Sequence, residues 1–169
     1  MRPWVPLVLA AALLGSLPLY AASRINSLTG VYKHRITGLD AAHTEFEDDE
    51  ILEIAKVSET AAYFRTYTAE PNHHDCTMSG VATLSATGLR YVKQITPDEA
   101  CRFSITLEGA SLVFHDEGAH CQRRYCSFRA GLDGSAFPLQ SKRDIRDMKT
   151  LLGSKPYKEA LSEYEAAPK

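Results

Sequence analysis

Short β-prone runs separated by turn formers, at nearly even spacing from Leu28 to His115, restrict this chain more than any other feature. After Val31 and Tyr32 come Ile51 to Val57, Ala62 to Thr68, Thr77 to Ser85, Leu89 to Ile95, Arg102 to Leu107 and Ser111 to His115. Glu70-Pro71-Asn72, Ala86-Thr87-Gly88, Thr96-Pro97-Asp98, Glu108-Gly109 and Asp116-Glu117-Gly118 punctuate them. Leu89 to Lys93 and Arg102 to Leu107 alternate apolar with polar residues, the pattern of antiparallel strands with one face buried. The spacing predicts a mainly β fold, an antiparallel barrel of seven to eight strands or a small sandwich.

The period changes near the carboxyl end. Ser141-Lys142-Arg143-Asp144 reads as the cap of a helix through Leu152 that buries Ile145, Met148, Leu151 and Leu152. Gly153 stops it, and Pro156 suits the first turn of a second helix with Tyr157, Ala160, Leu161 and Tyr164 on one face. The chain divides accordingly into residues 22–140, the barrel, and residues 141–169, two short helices packed on it, over an open end or edge of the sheet.

Residues 1–21 read as a secretory signal peptide: Arg2, an apolar run from Val5 to Leu19, Pro18 and a small residue at Ala21. Retention of Trp4 to Ala22 as an anchor is the alternative, since that stretch nearly spans a bilayer. Loss of Arg2 leaves 18 basic residues against 21 acids, a net charge of −3 that gives no general attraction to nucleic acid or to an anionic membrane. Five carboxylates fall in the six residues from Glu45 to Glu50. Such a run is usually a solvated loop; Glu45, Glu47, Asp48, Asp49 and Glu50 are also the candidate contacts for a basic protein partner.

Four cysteines, Cys76, Cys101, Cys121 and Cys126, follow the leader. An even number in an oxidising compartment argues for two disulfides. The simplest pairing is Cys76–Cys101 between neighbouring strands and Cys121–Cys126 across a local turn, with the other two connectivities formally open. In that arrangement Tyr125, Phe128 and Phe137 pack inward while Arg123, Arg124 or Arg129 faces solvent or a carboxylate, and Leu132-Asp133-Gly134 turns the chain back to the barrel. His73-His74-Asp75-Cys76 holds metal-ligating types, but adjacent histidines on an extended chain point to opposite faces, so no metal is expected there. No nucleophile elbow, phosphate loop, His-Glu-x-x-His or glycine fingerprint occurs, and neither catalysis nor a cofactor is expected.

Cys76-x-x-x-Gly80, Leu89-x-Tyr91, Cys101-x-Phe103 and Cys121-x-x-x-Tyr125-Cys126-x-x-Arg129-Ala130, with Gly134 and Phe137, resemble a pattern in small exported proteobacterial β-barrel proteins described as lipocalin-like or lysozyme-inhibitor-like. Ser127 stands where those relatives often carry Gly, and Ser79-Gly80-Val81-Ala82 lacks the aromatic of the inhibitory motif in membrane-associated C-type lysozyme inhibitors. The resemblance implies a periplasmic or secreted, non-enzymatic protein that recognises a partner in the cell envelope, a basic lysozyme-like enzyme or a toxin. The alternative is a lipocalin-like carrier of a small apolar ligand in the barrel mouth.

Overall fold

The computed structural model describes residues 24–72 and 74–167; the signal-peptide reading of residues 1–21 lies outside the described residues. Eight antiparallel strands run in chain order around a nearly closed barrel: β1 (Gly30–Leu39), β2 (Glu45–Lys56), β3 (Ala61–Glu70), β4 (His74–Leu84), β5 (Gly88–Thr96), β6 (Glu99–Glu108), β7 (Ser111–Asp116) and β8 (Ala136–Pro138). Each turn signal in the sequence falls at a strand end, because Pro, Gly and Asn fix backbone angles that a ladder cannot use. Asn72 between β3 and β4 and Gly109 between β6 and β7 both take positive φ, 66° and 57°. Leu132-Asp133-Gly134 does return Phe137 to the core, where it is fully buried. The Asp133 carboxylate accepts the Asp116 N–H (3.0 Å), tying that turn to the end of β7.

Closure between the first and last strands is made by the chain just past β8. Val31 N–H donates to Arg143 O and Arg143 N–H to Val31 O, both at 2.8 Å. The barrel interior is filled rather than hollow. Phe64, Phe103, Phe114 and Phe137 form a continuous row with ring centroids 5.7, 4.9 and 4.9 Å apart, and Tyr91 stands edge-on to Phe64 at 5.4 Å. Leu52, Ile54, Met78, Leu89, Ile105 and Leu112 close around that row.

Residues 24–28 are helical, and three short helices follow β7: α1 (His120–Tyr125), α2 (Met148–Gly153) and α3 (Lys155–Ala166). The first C-terminal helix is shorter than the sequence suggests. Residues 142–145 stay out of any helix and 146–147 turn into α2, because Arg143 is committed to the bridge with Val31, and a helix from Ser141 would break that closure. Asp147 is the cap instead, its carboxylate accepting the Thr150 N–H at 2.8 Å. Leu151 is buried, whereas Met148 and Leu152 remain partly exposed. The second helix starts as expected, with Ser154 accepting the Tyr157 N–H and Pro156 in the first turn.

These helices lie on the outer face of the sheet, and α3 reaches the open edge where β4 and β5 cease to pair, Glu163 bonding Lys93 of β5 at 2.8 Å. Ala55, Ala61, Tyr63 and Val81 face outward and pack with Leu151 and Ala160, and Tyr157 meets Tyr63 edge-on at 5.0 Å. A strand covered on both faces needs apolar residues at successive positions, and Ala61-Ala62-Tyr63-Phe64 supplies them.

Candidate functional site

The cysteines do not pair as the sequence reading has them. The bonds are Cys76–Cys126 and Cys101–Cys121, and no cysteine is free. Helix geometry explains the correction. Residues 120–125 are helical, so positions five apart are rotated by about 140° and their side chains diverge. Cys121 therefore points to Cys101 on β6, and Cys126, just past the helix, meets Cys76 on β4. The Asp116 carboxylate secures the start of α1, accepting the N–H groups of Cys121 (3.1 Å) and Gln122 (2.7 Å). Two disulfides and one buried carboxylate thus clamp α1 across one end of the barrel. Disulfides of this kind belong to an oxidising compartment rather than the reducing cytosol.

Past α1 the chain makes a tight turn on the rim. Ser127 N–H donates to Asp75 O (2.8 Å), Asp75 N–H donates to Ser127 Oγ (2.7 Å), and Ala130 N–H donates to Ser127 O (3.2 Å). Arg129 adopts a left-handed φ of 73°, a conformation that a non-glycine residue holds only when its surroundings impose it. Ala130 and Leu132 go into the core. Phe128 does not: it is 78% exposed, against the expectation that it packs inward. With Cys126 bonded to β4 and Ala130 buried, the apex residue has no route to the interior. The His74 ring stands edge-on to Phe128 at 6.5 Å, and the Arg129 guanidinium lies over it at 5.3 Å. Tyr125 is half-buried, its hydroxyl 3.5 Å from that of Tyr91.

The acidic run is a strand rather than a solvated loop. It forms the first half of β2, paired with the basic residues of β1 in the register Arg35↔Asp49. Asp49 bonds Lys33 (3.2 Å) and Arg35 (3.0 Å), and Glu47 bonds Arg35 (2.6 Å). Asp48 accepts the Tyr67 hydroxyl at 3.0 Å, Glu50 is buried beside His34 Nδ1 at 3.0 Å, and Glu45 is exposed. Arg35 and Lys33 hold Asp49 below the usual carboxylate range through their hydrogen bonds. Asp48 also lines a shallow pocket of about 120 Å3 with Phe46, Tyr67, Glu70, His74 and Asp75. The run and the Phe128 turn therefore share one end of the barrel, joined through His74 and Asp75.

Burial raises the Glu50 carboxyl above its ordinary value, and this outweighs the His34 bond and the Ala69 N–H that it accepts. The folded state then holds this proton to a higher pH than the unfolded chain does. Stability from the protonated group is complete below the unfolded value and lost as pH rises through the raised folded one. Glu50→Gln, which keeps an acceptor for Ala69, is expected to be more stable than the parent at pH 7. Urea unfolding at pH 7 and pH 4 checks this: the gain should shrink at the lower pH.

Of the other sequence candidates, His74 opens β4, while His73 lies outside the described residues. His115 bonds Glu108 (2.6 Å) and Thr106 (2.9 Å) across β6 and β7, and His120 bonds Glu99 (2.6 Å). Among the described residues no helix is long and apolar enough to cross a membrane. No protein-family model, curated protein or solved structure matches the chain. Phe128 is the site residue that sequence reading missed; the signal was its place in Cys126-Ser127-Phe128-Arg129-Ala130, where a fixed cysteine and a small core residue bracket only three positions.

Proposed function

We propose that the protein is a non-enzymatic binding protein of the periplasm or the secreted fraction that recognises a protein partner with the barrel end carrying the Cys126–Gly131 turn. The observation that carries this reading is Phe128, 78% exposed on a turn fixed by a disulfide and by reciprocal bonds with Asp75. An aromatic ring left in water forgoes burial worth about 2 kcal/mol, and a pre-ordered backbone lowers the entropy lost when a partner covers it. Exposed aromatics beside an arginine are typical anchors of protein interfaces. The carboxylates of Glu45, Glu47, Asp48, Asp49 and Glu50 add a negative field that steers a basic partner. Because four of them hold partners within the barrel, Phe128 is the contact and the acids are the approach. Inhibition of a lysozyme-like enzyme and immunity to an envelope toxin are the sharpest forms of this function. The aromatic row that fills the barrel supports this reading over that of a carrier with a small apolar ligand in the barrel mouth.

The test is calorimetric titration of the exported protein against C-, G- and invertebrate-type lysozymes, with a cell-wall turbidity assay. One of them is expected to bind and be inhibited, and Phe128→Ala should weaken binding about tenfold or more at unchanged melting temperature. No binding to any of the three, together with a small apolar molecule copurifying in native mass spectrometry, would replace this reading by the carrier.

A further inference from the structure

The sheet splits at the end that carries the Phe128 turn. β1 and β2 pair down to Leu39↔Glu45, and β3 and β4 pair as far as Glu70↔His74. Between β2 and β3, however, pairing stops at Ile51↔Tyr67. The two hairpins therefore part, and side chains bridge the gap where the ladder has ended. The Tyr67 hydroxyl donates to the Asp48 carboxylate at 3.0 Å, and Ala69 N–H donates to the Glu50 carboxylate. The cavity of about 120 Å3 lies in this parting. Phe46 and Asp48 line it from one hairpin, and Tyr67, Glu70, His74 and Asp75 from the other.

The charge of the lining is one-sided. No lysine or arginine contributes to it. Glu47, Asp49 and Glu50, on the same strand, are held by Arg35, Lys33 and His34, but Asp48 holds only a neutral hydroxyl and the Asp49 N–H. Neither Glu70 nor Asp75 makes an ion pair or a side-chain hydrogen bond among the described residues. Burial first, then Asp48 and Asp75, raise the Tyr67 hydroxyl above its ordinary value, so both charges reach the ring that walls the cavity. The space is about four times a water molecule's share of the liquid, far below the roughly 300–1,000 Å3 of a site that encloses a small molecule. It admits the end of one side chain. Carboxylates on both walls suit the several N–H donors of an ammonium or guanidinium head, and Phe46 and Tyr67 supply rings against which such a cation packs. Among the described residues no three of these groups stand as the ligands of a metal ion would.

We infer that this slot receives one lysine or arginine side chain of the protein partner, inserted between the two hairpins beside Phe128. The inference rests on the reading of this barrel end as the recognition face and names what that face recognises, a basic residue next to an apolar spot that covers Phe128. His74 joins the two, lining the slot and standing edge-on to the Phe128 ring. Asp48 is then a contact as well as part of the steering field.

The experiment titrates the 15N-labelled protein with the capped residues Ac-Lys-NH2 and Ac-Arg-NH2, and with Ac-Gln-NH2 as the neutral counterpart. The amides of Asp48, Tyr67, Glu70 and Asp75 are expected to shift together with a basic probe, with a dissociation constant of about 10 mM or tighter. Ac-Gln-NH2 should leave them in place. Glu70→Gln combined with Asp75→Asn should weaken binding about tenfold or more, whereas Glu45→Gln, at an exposed acid outside the slot, should change it less than about twofold. Unshifted amides away from the slot report that the variants are folded. Absence of shifts up to about 100 mM of both basic probes, or equal shifts with Ac-Gln-NH2, overturns the assignment. So does an equal loss from Glu45→Gln, since a diffuse field would then account for the binding. A lysozyme that binds the parent should also bind the Glu70→Gln, Asp75→Asn variant about tenfold more weakly. Undiminished binding overturns the slot and leaves the recognition face standing. If no lysozyme binds while the basic probes still shift these amides, the lysozyme reading fails and the slot stands.

Discussion

Replacing Cys101 and Cys121 together by serine is expected to lower the stability of the fold by about 3 kcal/mol, and replacing Cys76 and Cys126 by about 4 kcal/mol. The bonds close separations of 20 and 50 residues, and the larger loop restricts the unfolded chain more. A Cys121–Cys126 bond would have closed a far smaller loop and contributed about 2 kcal/mol on the same relation. The two changes also differ in what they release. Without Cys101–Cys121, α1 keeps its attachment to β4 and the turn stays in place. Without Cys76–Cys126, the Ser127–Asp75 bonds must hold Phe128 alone, so partner binding should fall with stability. Urea unfolding of both double variants, with peptide mapping of the unreduced parent, reads this directly. A peptide joining Cys121 to Cys126, or equal effects below about 1 kcal/mol, would refute the clamp.

The barrel was legible because period-2 alternation and turn residues act locally. From β3 to β7 the expected runs lie within the observed strands to within a few residues, and the order around the sheet follows from short connections. Disulfide connectivity was not legible. It depends on whether Cys121 to Cys126 is turn or helix, and Asp116, outside that stretch, decides this by satisfying the first amides of α1. The acidic half of β2 was missed for a related reason. Glu47 and Asp49 look unsuited to a strand until Arg35 is placed opposite Asp49, with Lys33 diagonal to Asp49 and Arg35 diagonal to Glu47, which requires the register with β1. The start of α2 was misplaced because Ser141 and Asp147 are both acceptable caps, and only the long-range bridge from Val31 to Arg143 chooses between them. Phe128 looked like a core residue by type. Its exposure follows from the disulfide that the spacing alone misassigned.

The contrast between a binding surface and a carrier comes to a head at Phe103. Its ring is 1% exposed and packs against Phe64 and Phe114, in the middle of the row that fills the barrel. Phe103→Ala is expected to cost about 3–5 kcal/mol, the loss found when a ring leaves a close-packed core that cannot collapse into the space. In a carrier the corresponding ring borders a preformed chamber and makes contacts on one side only, so its removal forfeits fewer contacts and costs less. The magnitude therefore tells the two architectures apart, even with no ligand known. Urea unfolding at constant m-value gives it, and titration of the variant with benzene supplies the complement: a dry apolar cavity newly made at Phe103 should bind benzene and recover part of the loss, while the parent gains nothing. A cost near 1 kcal/mol, with benzene stabilising the parent as much as the variant, would mean that the barrel already holds a chamber, and the Phe128 face would lose its standing as the site of function.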